Sequence, residues 1–228
     1  VYAGASGLAA AVVERSAPGD TSPVPVVGAK RVEAFVASMA VLLAGRPVVP
    51  LELSDAADRR GRVLARLGAR VVLAPAGFDP GLDGVRTIAY DADGTGREEA
   101  FAPMALAPDQ PAAVLFTSGS TGEPKGVVYD AWLLDYVARH RHHFLGHDPG
   151  RPVAVAGPFS VSLPLAVTAV FGTRLVARGG DDIEGFFQWV EECELDHVAI
   201  TPSMALAALR VWPGGRRLPS LRRVTTFG

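Results

Sequence analysis

Apolar positions along this chain recur in two alternating rhythms. Short apolar runs such as Val24–Val27, Val48–Leu51 and Ala112–Phe116, bounded by turn-forming residues, predict strands buried on both faces. Between them, apolar residues return at helical spacing. Val32, Phe35, Val36, Met39, Leu42 and Leu43 predict one such helix, ended by Gly45 where a left-handed cap belongs. Leu8–Arg15 predicts an earlier helix, closed by the turn Pro18-Gly19-Asp20. Ser54-Asp55 offers a helix N-cap, and Gly68 stops the helix that follows. Further strands are predicted at 70–73, 85–89, 127–129, 153–156, 174–177, 197–200 and 223–226. Further helices are predicted at 132–143, 163–170, 183–194 and 202–210. This alternation implies an α/β fold with parallel-rich sheets flanked by helices. Crowded turn residues at 146–152 mark an internal boundary. Residues 1–148 are therefore expected to form a first α/β subdomain, and 149–228 the start of a second, truncated one.

Composition narrows the possible functions. With 228 residues, 49% of them hydrophobic, the chain can bury a sizeable core. A net charge of −2 gives no electrostatic footprint for nucleic acid, and no polybasic run would hold the chain on an anionic membrane. The longest apolar stretch, Val161–Val176, contains Pro164, Gly172 and Arg174 and is too short to span a bilayer. A single cysteine, Cys193, excludes an internal disulfide and fits a reducing, cytoplasmic setting. Its acidic neighbours Glu192 and Glu194 argue against a reactive thiolate. The chain opens on Val rather than Met, so an excerpt of a longer protein is expected.

The segment that carries chemistry follows the strand at Ala112–Phe116: Thr117-Ser118-Gly119-Ser120-Thr121-Gly122-Glu123-Pro124-Lys125-Gly126. Its two inner glycines let consecutive backbone N–H groups converge into an anion nest. Four hydroxyl side chains add donors suited to phosphate oxygens, and Lys125 adds a mobile positive charge. A Walker loop needs lysine directly after its glycine, whereas Glu123 and Pro124 intervene here. The glycine spacing also fails the dinucleotide fingerprint, and Ser120 lacks the flanks of a nucleophile elbow.

Thr117–Gly126 resembles, almost residue for residue, the phosphate loop of the adenylate-forming superfamily. That superfamily comprises acyl-CoA synthetases, peptide-synthetase adenylation domains and luciferases. The flanks are similar in order and spacing: Val41–Leu51 and Asp58–Leu73 upstream, Thr201-Pro202-Ser203 and Leu221–Gly228 downstream. The resemblance implies the N-terminal portion of an enzyme that joins a carboxylic acid to AMP and then passes the acyl group to a thiol. That thiol would belong to coenzyme A or to a carrier protein. By this resemblance Thr117, Ser118, Gly119, Ser120, Thr121, Gly122 and Lys125 would hold ATP phosphates bridged by Mg2+. Thr117 and Lys125 would take the catalytic part, and Phe159 and Ser160 would face the acid. No protein ligand for the metal is assigned.

The sequence also departs from the family's pattern. The adenine-binding turn, the ribose aspartate and the C-terminal lysine expected of such enzymes are not in these residues, and Lys30 and Lys125 are the only lysines. Little activity is expected of this portion alone. Phe159-Ser160-Val161-Ser162 stands where amino-acid-activating members carry Phe-Asp-x-Ser, and a neutral serine cannot pair with an α-ammonium group. A plain carboxylic acid is therefore the expected substrate. Tyr129-Asp130 replaces a commoner polar-histidine pair. A non-catalytic nucleotide-binding or scaffold domain derived from such ligases is the alternative, and an oxidoreductase with an unusual loop is a weaker third.

His140, His142, His143 and His147 lack a further ligand at metal spacing and suit a solvated, basic helix end. Asp181-Asp182 reads as a helix cap. Trp132, Phe144, Phe186, Phe187 and Trp189 are expected in the core or a pocket wall.

Overall fold

The computed structural model describes residues 2–90, 101–117, 124–144, 152–155, 159–168, 174–177, 183–212, 214–215 and 217–226. The helices are α1 (Tyr2–Arg15), α2 (Val32–Leu43), α3 (Ala57–Leu67), α4 (Ala131–Phe144), α5 (Phe159–Ala166), α6 (Ile183–Glu192) and α7 (Pro202–Arg210). The strands are β1 (Val24–Gly28), β2 (Val48–Glu52), β3 (Val71–Pro75), β4 (Arg86–Tyr90), β5 (Pro111–Thr117), β6 (Lys125–Asp130), β7 (Pro152–Val155), β8 (Arg174–Ala177), β9 (His197–Ile200) and β10 (Arg223–Thr226).

They form two sheets. The first runs β4-β3-β1-β2-β5-β6 and the second β10-β9-β7-β8. Every described pairing is parallel except β5 with β6, which forms an antiparallel hairpin. The predicted parallel-rich α/β architecture is what the molecule adopts.

The period-two alternation of strand side chains sorts each apolar run onto two faces. Val24 and Val26, Val71 and Leu73, and Ala113 and Leu115 point to the side covered by α1, α2 and α5. Val27, Val72, Ala74, Val114 and Phe116 point to the opposite side, where Val63 and Leu64 of α3 close a second cluster. The first cluster also takes in Val153 of β7 and Ala199 of β9, so α2 and α5 form a helical layer shared by both sheets. The outer face of the second sheet packs on α6 and α7 through Phe186, Phe187, Val190 and Ala208.

Helix ends follow local chemistry where the sequence supplies it. Gly45 lies at φ 68°, its N–H bonds Leu42 O, and Arg46 N bonds Val41 O, which together make a Schellman motif closing α2. Thr201 caps α7 by accepting from Met204 N at 3.3 Å, with Pro202 in the first turn. Asp130 caps α4 by accepting from Leu133 N at 2.7 Å, which accounts for an aspartate at that position.

Four expectations need correction. Ser54-Asp55 does not cap α3: Ala56 is the N-cap residue and makes no side-chain bond, while Asp55 pairs with Arg59 at 3.5 Å instead. The chain turns once more before the helix starts. α1 begins at Tyr2 rather than Leu8, its small residues Ala5 and Ala9 packing in the core where an apolar-stripe reading undercounts them. α5 begins at Phe159, four residues before the predicted start, because Pro164 interrupts the periodic signal without breaking the helix. Trp132 is 60% exposed rather than core: it sits on the outer side of α4 and stacks on Tyr136 at 5.4 Å. Phe186 and Phe187 are buried as expected, and Trp189 packs partly buried against them. The side chains of Phe144 and His142 lie outside the described set, as do His147, Asp181 and Asp182. Among the described residues no helix is long and apolar enough to cross a membrane.

Candidate functional site

In a parallel sheet the strands all end on one edge, and ligand sites collect outside those carboxyl ends. β5 brings Thr117 to that edge. Its five central residues are buried, and its last residue emerges into solvent. The chain returns on β6, whose first residue Lys125 pairs in register with Thr117. Thr117 Oγ1 donates a long hydrogen bond of 3.4 Å to the Lys125 carbonyl oxygen. Both residues are exposed, so a hydroxyl and an ammonium group on adjacent strands both reach solvent. Pro124 is buried just ahead of Lys125 and fixes the direction of entry into β6. Gly126 follows because a side chain will not fit: a Cβ there would lie 2.9 Å from Val114 Cγ1 and 3.4 Å from the Phe116 ring. Ser118, Gly119, Ser120, Thr121 and Gly122 lie outside the described residues.

Phe159 and Ser160 open α5, which lies over the ends of β2 and β5. Phe159 is fully buried, its ring edge-on to Phe35 at 5.2 Å between centroids. Its ring therefore belongs to the core and seats the helix. Ser160, half-buried beside it, keeps access to the site edge.

Sequence reasoning passed over Glu52, the last residue of β2. Its Oε1 accepts the Ser160 backbone N–H at 2.7 Å across 108 residues of chain. β2 and β5 are neighbours, with Val48 opposite Ala113. Glu52 and Thr117 are the last residues of these two neighbouring strands. The available signal was an acidic residue closing an otherwise apolar strand, Val48-Val49-Pro50-Leu51-Glu52.

On the other side of β1 the same edge holds a cavity of about 450 Å³, lined by Ala29, Glu33, Ala34, Leu53, Pro75 and Tyr90 among others. None of the sequence-predicted site residues lines it. Tyr90 Oη donates to Val27 O at 2.7 Å, and burial, reinforced by the Glu33 charge, pushes its phenol well above the usual range. Glu33 Oε2 is buried without a hydrogen-bond partner.

The hairpin, the strand ends and the helix above them can now be set beside known proteins. The AMP-binding enzyme family model matches residues 1–228. Phosphinothricin tripeptide synthetase PhsC of Streptomyces viridochromogenes is 33% identical over 222 residues, which is 90% of this chain and 20% of that protein. Phenyloxazoline synthase MbtB of a Mycobacterium species is 32% identical, covering 92% of this chain and 18% of its own length. The chain thus spans about a fifth of these relatives. Two solved structures share the fold. A nonribosomal peptide synthetase, FmoA3, superposes with a TM-score of 0.83 at 22% identity, over 99% of this chain and 25% of that one. O-succinylbenzoate coenzyme A synthetase (MenE) of Bacillus subtilis, in complex with ATP and magnesium, gives 0.79 at 20% identity, over 98% and 60%. The chain belongs to the AMP-binding enzyme family.

Proposed function

We propose that this chain supplies the ATP-phosphate site of a ligase that activates a carboxylic acid as its acyl-adenylate. The carrying observation is the pairing of Thr117 with Lys125 at the mouth of the β5–β6 hairpin, with the hydroxyl-rich residues 118–121 between them in sequence. A carboxylate oxygen of the acid attacks the α-phosphorus of ATP. The new O–P bond forms as the bond to pyrophosphate breaks, and pyrophosphate leaves with its negative charge. There is no proton to move in that step, so catalysis is positioning and charge stabilisation. The Thr117 hydroxyl donates to a β- or γ-phosphate oxygen, and Lys125 offsets the charge of the departing pyrophosphate. The exposed hydroxyl and ammonium groups suit that ligand. Magnesium, when bound with the nucleotide, would offset phosphate charge, and no residue of this chain is assigned to hold it.

The acyl group then passes to a thiol. PhsC and FmoA3 are named as peptide synthetases and MenE as a coenzyme A synthetase. Those names support a carrier-protein or coenzyme A acceptor without choosing between them. A neutral Ser160 at the opening of α5 supports an acid without an α-ammonium group. The same reading takes residues 1–148 as a first subdomain bearing the phosphate loop and 149–228 as the start of a second. A cytoplasmic setting, where ATP and reduced thiols are available, belongs to the same reading.

The test is acid-dependent ATP–pyrophosphate exchange by the full-length protein. Lys125→Ala is expected to lower it about tenfold or more, by analogy with the loss of one charge-stabilising donor elsewhere. An unchanged rate removes Lys125 from the site. A wild-type protein that binds ATP yet exchanges with no acid is a nucleotide-binding domain instead.

A further inference from the structure

We infer that Glu52 is a positioning residue for the acid site, holding the first turn of α5, and with it Ser160, against the end of β2, next to the strand that carries Thr117. This role rests on the activity proposed above. Glu52 closes β2 after four buried residues, at a place where a fifth apolar side chain would continue the pattern. A carboxylate is costly to half-bury at a strand end, and a residue that breaks its local pattern marks a site where something else is gained.

What Glu52 gains is specific. The first N–H groups of a helix have no partner within the helix, and its amino end carries partial positive charge. α5 has eight residues, and Glu52 Oε1 accepts from its second, Ser160, at 2.7 Å, a charge-assisted contact. A second anchor holds the same turn from the other side: Phe159 is buried against Phe35 of α2. Between an apolar pin on α2 and a polar pin on β2, the first turn of α5 has little room to shift or rotate.

The consequence is geometric. Glu52 ends β2 and Thr117 ends its neighbour β5, so the contact ties the helix bearing Ser160 to the strand beside the one that opens the phosphate loop. In-line attack needs the acid's oxygen near van der Waals contact with the α-phosphorus, and small misplacements are costly in rate. In this role Glu52 acts through Ser160 rather than on ATP or the acid. It sets the distance between the two parts that touch them.

The full-length protein is first screened for ATP–pyrophosphate exchange with aliphatic, aromatic and α-amino carboxylic acids, and the best acid is used throughout. Glu52→Ala is expected to raise the KM for that acid about fivefold or more and leave the KM for ATP within about twofold. Glu52→Gln keeps an acceptor oxygen at the same reach and is expected to restore the acid KM to within about threefold of wild type. Amide exchange across residues 159–166 is expected to quicken in Glu52→Ala and not in Glu52→Gln. If the alanine variant does not fold, Glu52→Thr, a good strand former too short to reach Ser160, takes its place. A merely structural role would lower the amount of active enzyme and so kcat, leaving both KM values alone. Four results overturn the role while the activity stands: an unmoved acid KM, an equal rise in both KM values, a Gln variant as impaired as Ala, or unchanged amide exchange. Wild-type protein that exchanges with no acid overturns the activity itself, and the role with it.

Discussion

Arg46 shows how much one side chain can fix. It is buried, and its guanidinium donates from Nε and Nη2 to Ser22 O, at 2.8 and 2.6 Å, from Nη2 to Ser22 Oγ and from Nη1 to Ser16 Oγ. It also pairs with Asp20 at 3.2 Å. The turn after α2 is thereby clamped to the link between α1 and β1. Lysine cannot reproduce that fork. Arg46→Lys is expected to cost about 2 kcal/mol, the worth of charge-assisted hydrogen bonds lost in a buried place, read as a lower urea midpoint at unchanged slope. Asp20 adds a pH signature. Burial pushes its carboxyl up, but hydrogen bonds from the Ser22 backbone and side chain, with the Arg46 charge, outweigh burial and leave it below its ordinary value of 3.8. A group depressed in the folded state stabilises the fold above its unfolded value and loses that contribution as pH falls through the folded one. Thermal stability is expected to drop on acidification below about pH 4, and less steeply in Asp20→Asn. Equal slopes for variant and wild type would take Asp20 out of the account.

Elements are held by where their side chains can and cannot go, and two glycines separate the cases. Gly28 ends β1 beneath the start of α2, and a Cβ there would lie 2.6 Å from Ala34 Cβ and 2.7 Å from Tyr90 Oη. Gly28→Ala must push α2 or Tyr90 away, and overpacking of this kind costs about 1–3 kcal/mol. Gly61, inside α3, has nothing within 4 Å of its hypothetical Cβ. Gly61→Ala is expected to stabilise by about 0.5–1 kcal/mol through helix propensity alone. Chemical denaturation of both variants checks the pair, and like-signed shifts would refute it. The same contrast explains what was legible in the sequence. α2 and its end at Gly45 could be read because the apolar stripe and the left-handed cap are both local. The turn that sets Thr117 opposite Lys125 could be read because the loop segment is contiguous. The start of α5 could not, since Pro164 blurs the periodicity and the turn is held by Phe35 and Glu52, both more than a hundred residues upstream. Glu52 was missed for the same reason: its partner is remote, and a glutamate at a strand end looks from the sequence like the beginning of a loop. Trp132 was misplaced because hydrophobicity does not say which side of an edge helix faces the sheet.

For the molecule as a whole, the decisive feature is that two sheets share one helical layer. A single apolar cluster gathers Val26 of β1, Val48 of β2, Phe35 of α2, Phe159 and Leu163 of α5, Val153 of β7 and Ala199 of β9. Phe35 belongs to it, 6% exposed and edge-on to Phe159. Had the two sheets been built on separate cores, a cavity beneath one would leave the other intact, because dispersion contacts are lost only by the atoms that line the void. Here the void opens between them. Phe35→Ala is expected to cost about 3–5 kcal/mol, the usual range for emptying a buried aromatic site. The added expectation is that amide protection falls together in β1, β2, β7 and β9, which hydrogen exchange resolves strand by strand. If β7 and β9 kept wild-type protection while β1 and β2 lost theirs, the sheets would be separate cooperative units. The shared layer would then be a contact surface rather than a common core, and α5 would no longer be expected to pass a displacement at Phe35 on to Ser160.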